Sequence, residues 1–173
     1  MSKFTCEPLA KHHDRKAFNC GVPELDEYLL QRAGQDMRRR VAAVFVIVPE
    51  NEPGRVAGYY TLSSASIVLG QLPDDLVKKL PRYPTVPAVL IGRLARDVNF
   101  SGVGKLLVLD ALARSFQHSG EVAAAVVLVD AKNEQAREFY KRYGFIEIAG
   151  TSDRMFLPMK TIEKLQKPRV RSI

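Results

Sequence analysis

The chain has 173 residues, 46 % of them apolar and 26 % charged, with a formal net charge of +7. That length suits one domain with a real core and is marginal for two, and the apolar content excludes a disordered chain. No run approaches the ~18 apolar residues of a membrane span, and "MSKFTCEPLAKHH" lacks the apolar core of a signal peptide, so a cytoplasmic protein without membrane attachment is expected. Cys6 and Cys20 fit no C-x-x-C pattern and make no disulfide framework. His12, His13 and His118 offer no zinc spacing, so no metal is expected. Basic residues gather at Arg38, Arg39 and Arg40, at Lys78, Lys79 and Arg82, and at Lys164, Lys167, Arg169 and Arg171. Such a surface attracts polyanions, nucleic acid among them, or else serves only solubility.

In chain order, "GVPELDEYLLQRAGQDM" predicts the first element, a helix with Pro23 in its first turn and Leu25, Leu29 and Ala33 at helical spacing. "VAAVFVIV" (41–48) and "RVAGYYTLSSASI" (55–67) read as strands, joined through the turn "PENEPG" into a hairpin. "PDDLVKKL" (73–80) is a short helix. "LPRYPTVP" cannot be helical, because its prolines remove donors and restrict their neighbours. A strand is expected over 88–96, a buried helix over 103–118 that is apolar nearly all round, and a central strand over 121–130. Asn133 caps a helix in "NEQAREFYKRYGF" that Gly144 ends, and short strands follow near "FIEIAG" and "RMFLPM". From Lys160 a polar helix or a disordered tail is expected, with Pro168 as a stop. The order describes a mixed α/β sheet with one strand–loop–helix–strand crossover at its centre.

The crossover carries the chemistry. In "NFSGVGKLL" (99–107), Gly102 and Gly104 stand between strand and helix, where backbone N–H groups and a helix N-terminus suit an anion. The loop is not a Walker A loop: Leu106 stands where the hydroxyl residue belongs, and Asn99 where the first glycine belongs. Nor is it a Rossmann fingerprint, since Leu107 replaces the third glycine. Alone, G-x-G is a weak signal, with a plain tight turn as the alternative.

With "LIGRLARD" before it and "NEQAREFYKRYGF" after it, the loop resembles that of the GNAT acetyltransferase superfamily, which cradles the pyrophosphate of acetyl-coenzyme A. "FNCGVPELDEYLLQRAGQDMRRRVAAVFV", "GYYTLSS", "LPRYPTVPAVLIGRLARD" and "FYKRYGF" narrow the resemblance to the GNAT toxins of bacterial toxin–antitoxin pairs, over about Phe18 to Met159. The superfamily loop reads [QR]-x-x-G-x-[GA]; here Asn99 holds its first position. The resemblance implies a single GNAT domain over 1–160, with 161–173 a basic C-terminal tail. It implies transfer of acetyl from acetyl-CoA to the α-amine of aminoacyl-tRNA, a block on translation, a homodimer, and silencing by a ribbon-helix-helix antitoxin through which operator DNA is reached. Two other readings stay open: acetylation of another amine, protein or small molecule, and a catalytically weakened module that binds antitoxin and operator DNA. A basic face argues against small cationic amines.

By the same resemblance Tyr140 is the general acid that protonates the departing thiolate; by periodicity alone it is a core aromatic beside Ala136 and Phe139. Leu94, Ala95 and Arg96 would offer backbone groups to the pantetheine arm. Ser101, Gly102, Val103, Gly104 and Lys105 would supply pyrophosphate N–H groups, Lys105 adding charge or standing as a solvated lysine. Asn133 lies near the cofactor in the family and is otherwise a plain N-cap. Asp97 is a base or, better, a strand-end residue capping the loop. For RNA the candidates are Arg38, Arg39, Arg40, Arg82 and Arg93. Arg93 interrupts an apolar strand and needs solvent, a ligand or an ion pair, with Asp97 or Asp110 the nearest carboxylates in sequence.

Overall fold

The computed structural model describes residues 3–151 and 153–166. Among them lie seven strands and six α-helices in two compact units. The first unit holds the residues up to Ser63 together with Ile91–Ala111; the second holds Ser64–Leu90 together with the residues from Leu112 onward. The strands form one mixed sheet in the order β1-β2-β3-β4-β5-β7-β6.

The first unit opens on a strand that the sequence reading did not anticipate. β1 (Phe4–Pro8) pairs antiparallel with β2 (Ala43–Pro49), Cys6 opposite Ile47. Its alternation of Phe4 and Cys6 with Thr5 and Glu7 spans too few residues to stand out. As the edge strand it tolerates Pro8 at its end. β2 pairs antiparallel with β3 (Gly58–Val68), Phe45 opposite Tyr60, which is the expected hairpin. The expected first helix spans α1 (Pro23–Glu27), a π-helical turn at Tyr28–Arg32, and α2 (Ala33–Arg38). Pro23 sits in its first turn with Glu24 and Asp26, where carboxylates meet the positive end of the helix. At the π turn the Ala33 N–H donates to the Tyr28 carbonyl, five residues back. Tyr28, Leu29 and Ala33 are buried there with Phe18, Val44, Val46, Val48, Val56, Tyr59 and Ala95.

Cys20 lies half-buried before that helix. Burial and the Asp26 carboxylate push its thiol from the usual 9.0 up to about 11. Two units above the usual value leave ~100-fold less thiolate at any pH below both, and thiolate is the reactive form. Alkylation of Cys20 by iodoacetamide at pH 8, followed by mass spectrometry, is expected to run about two orders of magnitude slower than that of a free cysteine. Labelling at the free rate would show that the thiol is not held this way.

In the second unit α3 (Asp74–Val77) precedes the proline segment; β4 (Thr85–Arg96), whose residues from Ile91 belong to the first unit, begins three residues earlier than expected and runs through Pro87. Pro87 still offers its carbonyl, which accepts from Ala125 N–H at the mouth of β5 (Val126–Asp130). β5 is shorter than the apolar run that predicts it. Val122 is 73 % exposed, in a turn that bonds back to His118. α5 (Glu134–Lys141) follows, and Gly144, at φ +93°, ends the turn after it. β7 (Arg154–Pro158) lies between β5 and β6 (Ile146–Glu147), antiparallel to both, so Phe156 faces Leu128 on one side and Ile146 on the other. α6 (Met159–Gln166) buries Met159 and Ile162, so the start of the expected tail is helical. Lys164 lies on it; Lys167, Pro168, Arg169 and Arg171 lie outside the described residues.

α4 (Val103–His118) has its expected bounds, but it is not buried all round. Val103, Leu107, Val108, Ala111 and Leu112 are buried, whereas Leu106 and Leu109 stand 39 % and 42 % exposed. The apolar content of the sequence here exceeds what the packing uses.

Candidate active site

The loop between β4 and α4 is built on a carboxylate. Asp97 is fully buried, and its Oδ1 accepts from Asn99 N–H (2.9 Å) and Asn99 Nδ2 (3.0 Å). Its Oδ2 accepts from Asn19 N–H (2.9 Å) and lies 3.5 Å from Arg55 Nη2. With donors on both oxygens and no exposure, Asp97 stands as the loop cap. Asn99, at the position the superfamily fills with Gln or Arg, turns onto Asp97. Arg96 Nη1 lies 3.4 Å from the carbonyls of Asp97 and Phe100.

Beyond this base the backbone is open. Ser101, Gly102 and Lys105 are exposed, Gly104 is half-buried and Val103 buried. Gly102 has φ +81°, and a Cβ built there meets no atom within 4 Å. The left-handed conformation and the free space together allow a ligand to approach the backbone closely. Along β4, Leu94 is half-buried, Ala95 buried and Arg96 exposed. On β3, Gly58 seats the first turn of α4. A Cβ at Gly58 would lie 2.8 Å from Leu107 Cδ1, 3.0 Å from Val103 Cγ1 and 3.1 Å from the Ala95 carbonyl.

In the second unit α5 places Tyr140. Its ring is 8 % exposed and meets Phe139 and Phe145 edge to face, at 5.3 and 5.4 Å between centroids. No hydrogen bond to its hydroxyl is found among the described residues, yet no buried side-chain oxygen is left without a partner. The hydroxyl is therefore not sealed inside the protein. Burial, and then the Asp130 carboxylate, push the phenol well above its usual value. Arg154 holds Asp130 through two contacts, at 2.9 and 3.2 Å. Asn133 is exposed, and its Oδ1 accepts from Ala136 N–H at 2.8 Å, as an N-cap does.

Arg93 pairs with neither Asp97 nor Asp110. Its guanidinium lies over the Tyr28 ring, 3.7 Å from the centroid, and its backbone N–H donates to Thr61 Oγ1 (3.0 Å). The Tyr28 hydroxyl donates to Asp36 at 2.8 Å, and burial with that carboxylate pushes the phenol up to about 12. Asp110 instead accepts from the Tyr60 hydroxyl. Arg38, Arg39 and Arg40 are exposed where α2 ends, Arg40 at φ +58°. Arg82 is exposed in the proline segment of the second unit.

One cluster has ligand atoms that the sequence spacing did not reveal: Glu7, His12 and His13 bring theirs within 4.8 Å of one another. His13 Nδ1 accepts from Ala10 N–H (2.9 Å), which puts the ring proton on Nε2, facing Glu7 Oε1 at 2.7 Å. A metal at Nε2 would have to displace that proton and reverse the tautomer, so the donor set suits a loop pin better than a metal. Arg55, Asn19 and Tyr28 also escaped the sequence reading. Each acts through a partner distant in sequence, and no local pattern announces it.

No protein-family model matches the chain. It is 34 % identical over 140 residues to the tRNA-acetylating toxin of Mycobacterium tuberculosis, covering 80 % of this chain and 81 % of the relative. Among solved structures it resembles AtaT complexed with acetyl-methionyl-tRNAfMet, with 31 % identity and a TM-score of 0.88 over 95 % of this chain and all of that one. A mutant AtaT toxin bound to the C-terminus of the antitoxin AtaR and acetyl-CoA matches at 28 % identity and a TM-score of 0.79, over 95 % and 98 % of the two chains. The mixed sheet flanked by helices is that of a GNAT N-acetyltransferase. Within that class, the chain belongs to the tRNA-acetylating toxins of toxin–antitoxin pairs.

Proposed function

We infer that this chain moves the acetyl group of acetyl-CoA to the α-amine of an aminoacyl-tRNA and so stops translation. The observation that carries the reading is Tyr140: a buried ring whose hydroxyl has no hydrogen-bond partner among the described residues and is not a buried, unsatisfied atom. Acetyl-CoA supplies the thioester. The N–H groups of Ser101, Gly102, Val103, Gly104 and Lys105 take its pyrophosphate, with the Lys105 ammonium adding charge, and the backbone of Leu94, Ala95 and Arg96 takes the pantetheine arm. Asn133 keeps its cap, and its side-chain amide N–H groups remain for the cofactor.

No strong base is required. An α-amine titrates near pH ~8, and an ester neighbour lowers that, so much of the acceptor is already neutral. Position does most of the work. The amine nitrogen forms the C–N bond as the C–S bond breaks, Tyr140 gives its proton to the sulfur, and the spare amine proton returns to the phenolate through solvent. The raised phenol stays protonated throughout the physiological range, which is the form a donor needs. Burial that raises the phenol raises a thiolate departing beside it as well, which keeps the transfer feasible.

The RNA is held by Arg38, Arg39, Arg40, Arg82 and Arg93 in this reading. Arg93→Gln is expected to weaken tRNA binding several-fold and to lower the slope of log affinity against log salt by about one. An unchanged slope in a filter-binding titration would remove Arg93 from the interface. The protein works in the cytoplasm, where aminoacyl-tRNA is found, as a homodimer silenced by a ribbon-helix-helix antitoxin that alone contacts operator DNA. No helix among the described residues is long and apolar enough to cross a membrane. Labelled acetyl-CoA incubated with a pool of charged tRNA tests the reading. Label in the RNA fraction with the natural chain, and none with Tyr140→Phe, supports it; label in protein or small amines instead rejects the acceptor.

A further inference from the structure

We propose that Asp97 and Arg55 together are positioning residues for the acetyl donor: they hold the loop at the head of α4 in the one shape that turns its backbone N–H groups toward the pyrophosphate. The inference rests on the reading that this loop takes the pyrophosphate, and adds what keeps it ready.

The loop is tied at each step from Asp97 to Phe100. The Asp97 N–H donates to the Ala57 carbonyl, the Val98 N–H to the Asn19 carbonyl, each at 2.9 Å, and the Phe100 N–H to the Asp97 carbonyl at 3.1 Å. The Asn99 N–H and side-chain amide both go to Asp97 Oδ1. The ties end at Phe100, and the next two residues, Ser101 and Gly102, are exposed. The anchored stretch thus stops where the ligand-facing stretch begins.

Arg55 joins two points of that stretch. Its Nη2 lies 3.5 Å from Asp97 Oδ2, and its guanidinium carbon lies 5.7 Å from the centroid of the Phe100 ring. Phe4 packs edge to face on the other part of that ring, at 6.2 Å. Arg55 is itself fixed by the turn after β2, where its N–H donates to the Glu52 carbonyl at 2.9 Å and its backbone bridges to Asp14. A carboxylate with no exposure is tolerated only when its charge is balanced. Balancing it matters twice over here, because an uncompensated negative charge at the root of the loop would repel a diphosphate. Asp97 therefore shapes the loop, and Arg55 cancels its field.

The test compares two acetyl donors in the tRNA assay: acetyl-CoA, and acetyl-pantetheine, which carries the same thioester but no pyrophosphate. For Arg55→Gln we expect the KM for acetyl-CoA to rise about tenfold with kcat within twofold, and kcat/KM for acetyl-pantetheine to stay unchanged. Arg55→Lys, which keeps the charge, should recover most of the loss. Asp97→Asn should move the same way, because it sets an NH2 against donors; should it fail to fold, Arg55→Gln carries the test alone. A natural KM for acetyl-CoA in Arg55→Gln would overturn the proposal, and so would an equal loss with both donors, which is the mark of a general structural role. If the natural chain itself uses the two donors equally well, the pyrophosphate reading of the loop fails first and the proposal falls with it.

Discussion

Tyr140→Phe is expected to lower the turnover of tRNA acetylation by at least ~100-fold, the lower end of what a positioned general acid contributes. Acetyl-CoA affinity and the melting temperature should hardly move. Only one oxygen is removed, and that oxygen makes no hydrogen bond within the described residues, so no internal partner is left unsatisfied. The ring keeps its edge contacts with Phe139 and Phe145. Single-turnover acetylation with saturating acetyl-CoA checks the prediction directly, and calorimetric titration of acetyl-CoA supplies the control. Near-natural turnover with intact binding would mean that the sulfur takes its proton from elsewhere, and that Tyr140 is a core aromatic after all.

The second large effect falls on a residue that touches no substrate. Gly58→Ala is expected to cost ~1–3 kcal/mol, the range for overpacking a filled interior. For a chain of this size that corresponds to a fall in Tm of roughly 2–10 °C, followed by scanning calorimetry. The added carbon meets three neighbours of unequal give. Leu107 Cδ1, at 2.8 Å, is the tip of a side chain and can turn aside; the Ala95 carbonyl, at 3.1 Å, belongs to the backbone of β4 and cannot. Relief must come from lifting the first turn of α4, which carries Val103 and the N–H groups assigned to the pyrophosphate. Acetyl-CoA affinity should therefore drop about tenfold along with stability, whereas Tyr140→Phe leaves both alone. A normal affinity in a destabilised Gly58→Ala protein would separate the seating of the helix from the work of the loop.

How far the sequence carried the reading depended on whether the governing contacts were local. The hairpin of β2 and β3, the bounds of α4, the Asn133 cap and the Gly144 stop are written in spacing and in single residues of special geometry, and each stands as expected. β1 was missed because five alternating residues are too few to signal, and the π turn because one inserted residue leaves no compositional trace. The run of α4, apolar nearly all round, predicts a buried helix, yet Leu106 and Leu109 stand exposed, because apolar content does not decide which face packs. Arg93 was correctly marked as a charge needing an explanation, but its partner proved to be the face of Tyr28 and neither nearby carboxylate. Partners brought in by the fold from 65 residues away have no signature in a strand.

The placement of β7 sets an order of events in the life of the molecule. β5 and β6 cannot be joined until Arg154–Pro158, close to the end of the described chain, has been made and slotted between them. Until then β5 has an open edge, and α5 with Tyr140 hangs between two strands that lack their common neighbour. A chain cut before Arg154 is therefore expected to leave β5 without its neighbour and Tyr140 without a fixed place, so the last strand to be made is a condition for the activity.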